Sequence, residues 1–204
     1  MQLRMEISMT RLPPNLKSFA ALLAIAAVVS GAACAADLSE PVILVASSVL
    51  DDTPFQQDVV LVTPLDQGGH IGFIINKPTG VKLQELFPDD QAAGKVKESV
   101  YLGGPEFLQT VFAVTRKPPP SAGATVQLMP GLFAVMDSDA IDRIIATTPK
   151  EARFFLGMMV WKPGALEEEV RQSAWELRPA DVEVVLDAKS SGLWKSLRGP
   201  GSYI

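Results

Sequence analysis

Few side chains in this 204-residue chain are equipped for chemistry. His70 is the only histidine and Cys34 the only cysteine. A Ser-His-Asp triad would have to be built on His70 with Ser47, Ser48 or a more distant serine, and no nucleophile-elbow motif accompanies them. One histidine and one cysteine do not make a usual zinc set, so carboxylates alone are left for a hard cation. A lone histidine at a strand edge is more often solvated or hydrogen-bonded than catalytic. Asp51-Asp52 and Asp89-Asp90 are adjacent carboxylates, which repel and can raise one another's pKa. In turns, however, Asp usually bonds its own backbone. No Gly-rich phosphate loop of either standard spacing occurs, and no cofactor is implied.

The constellation that stands out is a pair of turns, Asn76-Lys77-Pro78 and Gly103-Gly104-Pro105. Lys77 supplies charge, Asn76 amide donors, and Gly103-Gly104 bare N–H groups able to cradle an anion. That combination suits a small anion or a peptide carboxylate. The plainer alternative has Asn76 tying down a loop, Lys77 solvated, and the glycines serving backbone torsions. The expectation is a binding surface for an unidentified protein or small anionic ligand, with no catalytic or metal-binding set. A hydrolase using His70 is the weaker alternative.

Both turns end apolar strands. Gly72 to Ile75 runs into Asn76, and Val100 to Leu102 runs into Gly103. Further strands are expected at Val42–Ala46, Asp58–Thr63, Thr110–Thr115, Thr125–Met129, Leu132–Met136, Arg153–Trp161, Trp175–Arg178 and Val182–Leu186. Short helices are expected at Val81–Phe87, ended by Pro88, and at 138–146, capped by Asp137. Two more are expected at Leu166–Ala174 and Gly192–Leu197. In the third of these, Leu166 and Val170 face inward while Glu167 to Glu169 stay wet. Lys117 to Gly123, with three prolines, is expected as an exposed connection. Trp161, Trp175 and Trp194 suit core or rim packing. The fold class expected is α+β: one domain, strand-rich, with a few short flanking helices.

The first residues have a different character. Arg11 and Lys17 precede the apolar run Phe19 to Val29, and Ala33-Cys34-Ala35 fits a signal-peptidase site. Residues 1–35 therefore read as a cleaved signal peptide and 36–204 as the domain, placing the protein in the periplasm or outside the cell. Met9 is an alternative start, and lipidation of Cys34 an alternative fate. Cleavage removes Arg4, Arg11, Lys17 and Glu6, leaving 15 basic and 22 acidic side chains, a net −7, and no thiol. That balance, with no Lys/Arg cluster along the chain, speaks against nucleic acid. The apolar run is too short to span a bilayer. Oligomeric state is not legible.

Several spaced elements together resemble the AlgH/YqgE family of bacterial proteins. They are Phe55-Gln56-Gln57-Asp58, Gly72-Phe73-Ile74-Ile75-Asn76-Lys77-Pro78 and Val100-Tyr101-Leu102-Gly103-Gly104-Pro105. The closing Gly157-Met158-Met159-Val160-Trp161-Lys162-Pro163-Gly164-Ala165-Leu166-Glu167 completes the pattern. The resemblance covers essentially the whole chain after the leader. It implies a compact α+β domain with a mixed, barrel-like sheet, and an association with regulation of alginate synthesis and transcription. It implies no catalytic residue set. A cytoplasmic, transcription-related regulator is the alternative this family suggests.

Overall fold

The computed structural model describes residues 37–119, 124–186 and 189–198. The expected leader at 1–35, Cys34 and the end of the proline connection at 120–123 lie outside the described residues.

Strand β9 (Ala152–Trp161) is the axis of the sheet. Its run of Phe, Leu and Met is buried along nearly all its length because other strands cover both of its edges. On one side follow β3 (His70–Ile74), β2 (Val59–Pro64), β1 (Val42–Ala46) and β10 (Trp175–Pro179). On the other lie β6 (Glu106–Thr115), β8 (Leu132–Val135) and β7 (Thr125–Met129). A branch of β4 (Pro78–Lys82) and β5 (Ser99–Leu102) joins β9 through β5. The β5–β9 pair is parallel and the rest antiparallel, so the sheet is mixed. It curls into a half-barrel carrying a few short helices, an α+β single domain.

The main core fills the β1–β2–β3 side, from Leu44 and Val60 to Phe73 and Phe155, whose rings meet at 5.2 Å. Trp161, Trp175 and Trp194 are buried in it. A second cluster lies under α2 (Ser138–Thr147), where Ile141, Ile144 and Ile145 pack on Val100, Ala113 and Phe154. Each buried Ile, Val or Phe here contributes about 1.5–3 kcal/mol by leaving water. Asp137 caps α2 as expected, its carboxylate accepting the Ala140 N–H at 2.9 Å.

Four elements differ from expectation. Pro78 to Lys82 is a strand rather than an exit loop, held to β5 by ladder bonds and by Thr79 Oγ1 donating to the Val100 carbonyl. The helix that follows, α1, is only Leu83–Leu86. Val182–Leu186 is a helix, not a strand: the Asp181 carboxylate accepts the Glu183 N–H at 2.8 Å, and this local cap overrides the β-branched composition. Strand β6 begins four residues earlier than expected, at Glu106. It is interrupted by a register shift before Val111, where Phe107 adopts a φ of 57°.

Candidate functional site

The two turns are adjacent, and their polar groups are largely committed to one another's backbone. Leu102 N–H donates to the Lys77 carbonyl, and Ile74 N–H to the Gly103 carbonyl. Asn76 uses both ends of its amide: Nδ2 donates to Gln57 O and Oδ1 accepts Val59 N–H, each at 2.8 Å. Lys77 Nζ donates to the Pro54 carbonyl at 2.6 Å and to both Asp58 oxygens. Asp58 is buried, and burial pushes its carboxyl above the usual carboxylate range, against the opposing pull of Lys77.

Gly103 and Gly104 are glycine because of proximity rather than torsion. Neither has a left-handed φ; a Cβ on either would overlap the backbone of β9, at Gly157 and at Met158 respectively. The Gly103 N–H donates to Leu156 O at 2.7 Å and is not offered to an anion. Pro78 and Pro105 stay exposed beside this closed-up junction.

His70 is buried inside the sheet between β2 and β9, not solvated at its edge. Its Nε2 donates to the Leu38 carbonyl at 3.1 Å, the one direction a carbonyl partner allows. No serine or carboxylate is hydrogen-bonded to the ring among the described residues. Nor do these residues hold a His/Cys/Asp/Glu group suited to a metal, or a helix long and apolar enough to cross a membrane. Glu169, expected to be wet, accepts the indole N–H of Trp161 at 3.1 Å and of Trp175 at 2.7 Å on one oxygen. Only its i, i+6 relation to Trp175 hinted at this.

The concave feature sequence reasoning missed lies at the start of β9. A cleft of about 1060 Å³ is bounded by the 3₁₀ turn Ala93–Lys95, the end of β6, α2 and the 3₁₀ turn Pro149–Glu151. Lys95 closes the first of these and Lys97 follows it, while Arg116 and Lys117 follow the second. Arg143 and Lys150 enter from the helices, and Arg153 from β9. The acidic side chains among the lining residues are Glu98 and Glu151. Pro118, Ile144 and Leu186 give apolar wall. Arg153 is the buried floor, stacked 4.6 Å over the Tyr101 ring and donating to the Val185 carbonyl. Arg116 is clamped by both oxygens of Glu183 at 2.9 and 3.1 Å. Lys95, Lys117 and Lys150 are exposed and make no ion pair among the described residues. Basic residues scattered over nearly sixty positions thus converge in space, although they form no cluster along the chain. That convergence depends on strand order, which spacing alone did not give.

A family model described as AlgH-like matches residues 43–199. A UPF0301 protein of Myxococcus xanthus is 34% identical over 165 residues, covering 79% of this chain and 90% of that protein. One from Chlorobaculum tepidum is 32% identical, covering 78% and 85%. Among solved structures, the AlgH protein from Pseudomonas aeruginosa superposes with a TM-score of 0.67 at 24% identity, over 80% of this chain and 88% of that one. Protein DIP2367 from Corynebacterium diphtheriae gives 0.63 at 22%, with the same coverages. At these identities the two structures speak for the fold alone.

Proposed function

The chain belongs to the AlgH-like family, and on that footing we propose that it is an exported, non-enzymatic recognition domain whose ligand is an anion held in the cleft at the start of β9. One observation carries this reading: seven cationic side chains and two acidic ones line a single cavity in a chain whose net charge is −5. Like charges gathered around low-dielectric walls focus a positive potential that the whole-chain balance conceals. The Asn76–Lys77 and Gly103–Gly104 pair then serves as scaffold, because Lys77 and the amide of Asn76 are already bonded within the chain. Export rests on the leader-like residues 1–35.

Titration of the protein with inorganic phosphate at low ionic strength tests the ligand class. Saturable amide shifts confined to Lys95–Glu98 and Arg143–Arg153 are expected, weakening at least about tenfold in a Lys117→Ser, Lys150→Ser variant and falling with added salt. Silence at millimolar phosphate overturns the reading. Cell fractionation with N-terminal sequencing tests export: an intact N-terminus in the cytosol would instead favour a cytoplasmic regulator.

A further inference from the structure

Beside the cleft lies a second, shallower and more open chamber of about 330 Å³, and the two share Lys97, Glu98 and Arg153 as lining residues. Lys82 and Lys189 line it, with Ser190, Ser191 and Tyr101. Lys82 Nζ donates to the Lys97 carbonyl at 2.7 Å, which ties the second chamber's rim to the dividing wall. Together the two chambers gather nine of the 15 lysines and arginines found after residue 36. The first chamber alone already reaches the upper end of the roughly 300–1,000 Å³ of ordinary small-molecule pockets. Six of the nine cations are lysines, compact point charges that do not impose the planar, two-pronged geometry of a guanidinium.

The divider is not uniformly positive. Glu98 faces both chambers, is 65% exposed along its side chain, and brings Oε2 to 3.9 Å from Arg153 Nε. A ligand crossing the wall passes this carboxylate, which favours an uncharged middle and disfavours a continuous run of negative charge.

Building on the anion-binding reading above, we infer that the ligand is a small elongated molecule with an anionic group at each end and a neutral centre, one end in each chamber across Glu98. The two ends bind as linked sites, so the second adds affinity through effective concentration.

Calorimetry on the full chain, with inorganic phosphate, tripolyphosphate and a series of alkane α,ω-bisphosphates of rising chain length, tests this. The bisphosphates are expected to exceed phosphate by at least about tenfold at one preferred length. A Lys189→Ser variant, whose side chain lines the second chamber alone, is expected to drop them toward the level of phosphate while leaving phosphate itself unchanged. Glu98→Gln is expected to raise tripolyphosphate selectively. Lys189 is exposed, and an unchanged melting temperature confirms that the variant is folded. Phosphate binding without any gain from the second group, or bisphosphate binding that is not weakened by Lys189→Ser, overturns the two-chamber inference and leaves the cleft standing as a single-anion site. No binding by any of the probes removes both.

Discussion

Lys77 Nζ stands 2.9 and 3.0 Å from the two carboxylate oxygens of Asp58, a residue only 3% exposed. The pair joins the loop before β2 to the junction of β3 and β4. Because Asp58 is buried and Lys77 about one-third exposed, removing either partner is not symmetrical. Lys77→Met strands a desolvated carboxylate. It is expected to cost roughly 2 kcal/mol, below the 3–5 of a fully buried pair because solvent screens the lysine side. Asp58→Asn keeps an acceptor for Lys77 and removes the charge, and is expected to cost less than half as much. Urea unfolding of both variants checks the order; a Lys77→Met as stable as wild type would contradict it.

The same pair sets a pH dependence. Asp58 has a folded pKa above its ordinary value near 3.8, because burial outweighs the pull of Lys77. The folded state therefore holds this proton more tightly than the unfolded chain. Its contribution to stability is full below the unfolded pKa and is lost as pH rises through the folded one. Subtracting the melting curve of Asp58→Asn from that of the wild type, between about pH 3 and about pH 7, should give a difference that moves against the wild type as pH rises. A difference moving the opposite way would show that Lys77 dominates and that the folded pKa is depressed.

Gly104 lies so close to β9 that a Cβ would overlap the Met158 carbonyl. Gly104→Ala is expected to cost about 3 kcal/mol or more, since backbone rather than a flexible side chain must yield. Gly131 is the control: its φ of 79° is left-handed, but no heavy atom lies within 4 Å of the added methyl. Gly131→Ala should cost only about 1–2 kcal/mol of backbone strain. Thermal melts of the two variants should separate by several degrees. Equal melts would mean that the seam between Gly104 and β9 relaxes freely.

Much of the fold was visible in the chain because its signals are local. Apolar runs such as Val42–Ala46 and Arg153–Trp161 stay strands wherever they are placed, and Asp137 announces its helix. Val182–Leu186 misled because Val-rich composition favours a strand until Asp181 supplies a cap. Pro78–Lys82 misled because its pairing with Ser99–Leu102 is decided by a distant segment. The candidate site was less legible still. Asn76, Lys77, Gly103 and Gly104 do meet, as their matching strand-to-turn patterns suggested, but largely to satisfy the chain itself. Lys95, Arg143 and Arg153 carry no signature of common purpose until the sheet brings β9 between β3 and β6. Glu169 likewise looks like one of three solvated glutamates until two indoles are found pointing at it.

The contact of Gly103 and Gly104 with β9 is made by main chain alone: Gly157, with a φ of 69°, meets the Gly104 carbonyl with no side chain intervening. Such a weld has no rotamers to retune when its surroundings change. Lys95, Lys117 and Lys150, exposed at the rim of the cleft and in no ion pair among the described residues, carry none of that duty. Descendants of this scaffold can exchange those lysines for other chemistries, altering what is captured while the frame beneath is inherited intact.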